Sequence, residues 1–141
     1  MIPDPIVALT AFLRADAALV ALLGTRVFGA ELPEHEVASM PQRCVVLRRA
    51  GGGGLHTGGY MRLGDFRLDV TCYGETPYQA AQVNLAVQDA LKNMRRNVQG
   101  AALLHWATPS GGGIALRDPD AEWPLVFSSW QVLASEQEVP A

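Results

Sequence analysis

Few side chains in this sequence could do chemistry, and their spacing limits what they could do. The run from Gly51 to Gly59 has the flexible backbone of a phosphate cradle. It lacks the Gly-Lys-Ser/Thr ending, however, and precedes a strand pattern rather than a helix. His35-Glu36 would open a zinc-protease helix, but Val37, Ala38 and Ser39 follow and the second histidine is missing. Ser110 sits in Pro109-Ser110-Gly111-Gly112, a loose likeness of a nucleophile elbow, with Thr108 where the first glycine belongs and no helix pattern after it. His35, His56 and His105 lie in three separate segments without ligand spacing, so each reads as solvated or packed. Glu31, Glu34 and Glu36 read as a solvated loop. Cys44 and Cys72 cannot build a zinc site unaided, with His105 only a distant third ligand. Catalysis needs a nucleophile or base held by an orienting group. No such constellation is legible, so the chain reads as a non-enzyme with no cofactor and no metal.

The other residues of interest are charged. Arg48, Arg49, Arg62 and Arg67 border the glycine-rich stretch. They could form a basic patch that touches a partner or DNA phosphates. Alternatively, they belong to a solvated hairpin and pair with Asp65 and Asp69 across strands.

Positioning these residues requires strands and helices, and the plainest unit runs from Asp65 to Met94. Phe66, Leu68, Val70 and Cys72 alternate with Asp65, Arg67, Asp69, Thr71 and Tyr73. A period of two with one apolar face marks a half-buried antiparallel strand. Gly74 to Pro77 breaks it, with Thr76 as helix cap and Pro77 at the tolerated first position. The helix that follows is expected to bury Ala81, Leu85, Val87 (or Gln88) and Leu91, widened by Ala80, Val83 and Ala90. It ends in Lys92, Arg95 and Arg96, whose charges suit a helix C-terminus.

Upstream, Asp4-Pro5 and Asp16 each cap a helix, with a break near Ala15 and a stop at Gly24. Val27 to Ala30 is a short apolar piece, and Glu31 to Pro41 a surface loop. Gln42 to Arg49 is a strand inside the sheet, leading into a glycine-rich hairpin (50–60) expected to be mobile. Downstream, 97–100 reads as a turn, 101–108 as a strand, 109–113 as a second glycine loop and 124–135 as the last strand. A polar tail covers 136–141. The expectation is α+β: one mostly antiparallel sheet of about four strands with helices packed on one face.

The totals agree with one domain over 1–141, long enough for a core without staples. Net charge is −3, so no overall basic field argues for nucleic acid. The two cysteines read as buried free thiols of a cytoplasmic protein. No run approaches the ~18 apolar residues of a membrane span.

With the elements placed, the chain resembles the tail terminator, or tail-completion, family of long-tailed bacteriophages and gene transfer agents. The likeness rests on the opening stretch from Ile6 to Gly24, Arg26-Val27-Phe28, Leu32-Pro33, and Met40-Pro41 leading into Cys44 to Leu47. It continues through Phe66 to Tyr73, Ala80-Ala81, Val87 to Leu91 and the Trp123 to Phe127 entry to the final strand. The long Gly51–Gly59 stretch departs from the pattern. The resemblance implies a structural virion protein of the tail or neck, assembled in the host cytoplasm. It would form a hexameric ring that caps the tail tube, stops its polymerisation and joins the tail to the head. Its partners would be copies of itself, tail tube protein and a head-completion or connector protein, with DNA passing through the lumen without sequence-specific binding. Contact residues would then be Arg48, Arg49, Arg62, Arg67, Asp69, Thr71 and Tyr73. Two alternatives stand beside this reading: another neck component (head-closure or adaptor), or a small binding domain unrelated to phage with a preformed apolar pocket.

Overall fold

A computed structural model describes residues 4–53 and 63–136. The tip of the glycine-rich hairpin, Arg62 and the end of the polar tail lie outside the described residues. The elements, in chain order, are α1 (Pro5–Arg14), α2 (Ala17–Leu23), β1 (Val27–Gly29), α3 (Glu34–Val37), β2 (Cys44–Gly53), β3 (Leu63–Tyr73), α4 (Pro77–Asn93), β4 (Asn97–Gln99), β5 (Ala102–Arg117) and β6 (Pro124–Glu136).

The helix starts obey local chemistry. Asp4 Oδ1 accepts from Ile6 N at 2.9 Å, Asp16 Oδ2 from Leu19 N at 3.1 Å and Thr76 Oγ1 from Gln79 N at 3.2 Å. Each cap satisfies a backbone donor that the first helical turn leaves open. Between α1 and α2 the chain bends by 81° at Ala15–Asp16, where the sequence places the break. Gly24 ends α2 with φ of 62°, a conformation glycine takes without a Cβ penalty.

Among the described residues one sheet holds six strands in the order β1-β2-β3-β6-β5-β4, rather than about four. Only β1 and β2 run parallel; the other neighbours are antiparallel. The two additional strands, β1 and β4, are three residues each. A pair of that length is fixed by its partner rather than by its own pattern, so 27–30 and 97–100 carry no strand signal. The larger difference is β5. It runs unbroken through the expected glycine loop at 109–113, with register shifts between Pro109 and Ile114. Gly111 pairs with Ser129, and Gly112 and Gly113 are carried as surplus residues of a bulge before Ile114 pairs with Phe127.

Helices α1, α2 and α4 share one core with the inner sheet face. Leu9, Leu13, Leu19 and Leu23 meet Val45, Leu47, Leu68, Val70, Cys72 and Trp130 there. α1 contacts both end strands, β1 and β4, so the sheet curls around it. The opposite, outer face is partly covered near β2. Cys44 and Val46 point outward, yet both are buried, and Met40 Sδ lies 3.8 Å from Cys44 Sγ.

α4 corrects one expected face. Ala80, Val83, Asn84, Val87, Ala90 and Leu91 are buried, but Ala81 is exposed and Leu85 is 60% exposed. Apolar residues lie on several sides of this helix, and packing against β3, β5 and β6 selects the side carrying Val83 and Val87. Leu91→Ala is therefore expected to cost about 2–5 kcal/mol. Leu85→Ala should change stability by less than about 0.5 kcal/mol. Urea denaturation of the two variants checks this, and equal losses would return Leu85 to the core.

Candidate interaction surface

The outer sheet face gathers most of the expected contact residues. The pleat places Arg48 opposite Asp69, Val46 opposite Thr71 and Ala50 opposite Arg67. Arg67, Asp69 and Ser129 form a closed network. Arg67 Nε donates to Asp69 Oδ1 at 3.1 Å, Arg67 Nη2 to Ser129 Oγ at 3.2 Å, and Ser129 Oγ to Asp69 Oδ1 at 3.0 Å. The half-exposed Arg67 charge is thus answered within its own strand, as an ion pair at i and i+2. Beside it, Gln131 Nε2 donates to Asp65 Oδ2 at 2.6 Å.

Arg48 turns aside, its Nε donating to Ala30 O at 2.8 Å. Arg49 does not join it. One step along the pleat it faces the inner side, with its guanidinium 5.2 Å from the centre of the Phe66 ring, a cation–π distance. The adjacent arginines therefore belong to two surfaces. Thr71 and Tyr73 are half-buried on the outer face, and Tyr73 packs edge-on against Trp123 at 6.1 Å. Burial raises the Tyr73 pKa, with Asp118 adding to the shift.

Beyond Asp69 the outer face becomes apolar. Ile114 pairs with Phe127 and Leu116 with Leu125, and Phe127 and Leu125 sit beside Thr71 and Tyr73. Ile114 is 56% and Leu116 50% exposed. They lie in the half of β5, from Thr108 to Arg117, that is exposed throughout. On the inner side α4 supports this arm: a Cβ on Gly113 would lie 2.9 Å from Asn84 Nδ2, so only glycine fits without displacing the amide. Ile114 and Leu116 are contact candidates that sequence reasoning missed. The available signal was the alternation Ile114-Ala115-Leu116, hidden behind the preceding glycines.

The other reactive groups stay apart. His105 Nε2 lies 2.8 Å from Ser135 Oγ, and burial lowers its pKa, with Arg96 acting in the same direction. His35 is exposed on α3. Ser110 is exposed on β5 beside a notch of about 440 Å³ that Arg67 and Ser129 also line. Among the described residues no group of three or more His, Cys, Asp or Glu could hold a metal. No single helix among them is long and apolar enough to cross a membrane.

The family model described as tail completion protein gp17 matches residues 7–133. The chain belongs to that family. It is accordingly a structural protein of the phage virion, placed in the tail or neck. A chain from the virion of a native gene transfer agent particle has a similar fold, with a TM-score of 0.65 and 23% identity over 92% of each chain. Curated protein sequences include no match.

Both cysteines are free and buried. Burial pushes the Cys44 thiol up to about 12 and raises Cys72 further. Thiols of the unfolded chain ionise first, near pH 8.5. The stability that the buried neutral thiols contribute is therefore fully present below that pH and is lost as pH rises toward 12, by at most about 1.4 kcal/mol per pH unit for each thiol. Urea midpoints between about pH 9 and 11 should fall less steeply in Cys72→Ala than in the parent. Equal slopes would show that Cys72 ionises as readily folded as unfolded.

Proposed function

We propose that this protein is a tail terminator: copies close into a hexameric ring that caps the finished tail tube, stops its growth and presents a surface to the head connector. The role is structural rather than enzymatic. Its partners are further copies of the chain, tail tube protein and a head-completion or connector protein, with DNA crossing the lumen without sequence-specific contacts.

The observation that carries this reading is family membership across residues 7–133. The fold is that of a chain found in a gene transfer agent virion. The physical features fit. A ring requires a surface that meets a different surface on the next copy, and β5 offers a long edge without a neighbour among the described residues beyond its pairing with β4. Such an edge is a site for meeting another chain. On this reading Arg67, Asp69, Thr71 and Tyr73 form the polar part of the subunit contact, with Arg48 at its margin. Arg49 and Arg62, which flank the glycine-rich stretch in sequence, remain contact candidates on this reading.

Native mass measurement with and without tail tube protein tests the proposal. The expected mass is near six times the 15.1 kDa chain. Asp69→Lys, which opposes Arg67 with a like charge, should shift the distribution toward single chains. A parent chain that stays single in both conditions contradicts the ring. Unchanged assembly of Asp69→Lys removes the outer face from the contact.

A further inference from the structure

A ring closes only if each copy carries two different, complementary patches. One candidate patch is the exposed arm of the sheet. The β5–β6 arm carries Ile114 and Leu116, 56% and 50% exposed, on the outer sheet face. The turn that follows is acidic: Asp118, Asp120 and Glu122 stand there against Arg117. Asp118 is occupied locally, its Oδ1 accepting from Asp120 N and Ala121 N, whereas Asp120 and Glu122 are exposed.

The second candidate is concave. A groove of about 720 Å³ runs along α1, its apolar floor formed by Ile6, Val7, Ala11, Gly29 and Ala30, with Asp4 also on its lining. Val7 is 67% exposed at its rim. Its charged lining residues stand at the two ends of α1, Asp4 at the N-cap and Arg14 in the last turn. β1 borders the groove but is poorly placed to accept a further strand. Val27 O accepts from Arg14 Nη2 at 2.6 Å, and Gly29 O accepts from Glu31 N at 2.9 Å. With those carbonyls satisfied, the groove suits apolar side chains rather than a backbone ladder.

The two patches match in polarity, and Arg14 offers the acidic turn an opposite charge at the end of α1 away from Asp4. They lie on opposite sides of the sheet, since α1 packs on the inner face and Ile114 and Leu116 point from the outer one. One chain cannot bring its own arm into its own groove, so the occupant is a second copy. We infer that the β5–β6 arm of each copy seats in the α1 groove of the next, placing Ile114 and Leu116 against Val7 and Ala11 and the acidic turn against Arg14. This contact rests on the ring reading and gives it a specific head-to-tail geometry.

The test uses the full chain in assembled particles, carrying Val7→Cys and Leu116→Cys together, treated with a short thiol-directed cross-linker. Both native cysteines are fully buried and do not compete. The expected result is a ladder of covalent multimers on a denaturing gel, absent from either single variant. Leu116→Asp, at an exposed position, should keep the fold by circular dichroism and lose the multimer by native mass. Three results would overturn the contact while leaving the ring intact. These are a monomer band alone in particles whose parent chain is multimeric, a dimer band without higher members, or cross-linking of the Val7→Cys single variant to a different virion protein. A parent chain that is single both in solution and in particles would overturn the ring reading and this contact together.

Discussion

The antiparallel pairing of β3 with β6, unbroken from Leu63↔Ser135 to Tyr73↔Leu125, is the constraint on which the rest of the structure depends. It sets two central strands in one register, so every apolar residue of the Phe66–Cys72 series faces the helices and every polar one faces outward. A slip of one residue would exchange the two faces. The core of α1, α2 and α4 forms against one side of this ladder, and the Arg67–Asp69–Ser129 network forms across the other.

The ladder also determines where the sheet ends. At the β1 end the chain closes its own edge: Arg14 and tight backbone turns take the outward carbonyls. At the other end β4 covers only Ala102, Leu103 and Leu104, and β5 continues to Arg117 beside β6 alone among the described residues. Proteins usually blunt such edges. Pro109 and the bulges around Ser110 to Gly113 interrupt this one and discourage indiscriminate pairing, while Ile114 and Leu116 remain available. A closed edge and an open arm on one chain suit the heterologous contacts of a ring.

Much of this fold was legible because its signals are local. Asp4, Asp16 and Thr76 cap helices by a single short-range hydrogen bond each, and the alternation through Tyr73 needs no knowledge of the partner strand. What escaped depends on distant contacts. The three-residue strands β1 and β4 exist through their neighbours, and Gly111 pairs with β6 while Gly112 and Gly113 are carried as a bulge. Leu85 looked buried because period alone does not choose between apolar sides of a helix. Arg48 and Arg49 looked like one patch because adjacency in sequence hides the pleat, which sends them to opposite faces. Family resemblance was legible from the order of elements, whereas the arm was hidden behind its glycines.

Amide hydrogen exchange along β5, compared between the free chain and assembled particles, tests the central claim most directly. Among the amides from Thr108 to Leu116, those not bonded to β6 should exchange rapidly in the free chain and slow markedly on assembly, because that edge and its apolar pair become covered. Protection already complete in the free chain, or exchange unchanged in particles, would contradict the account.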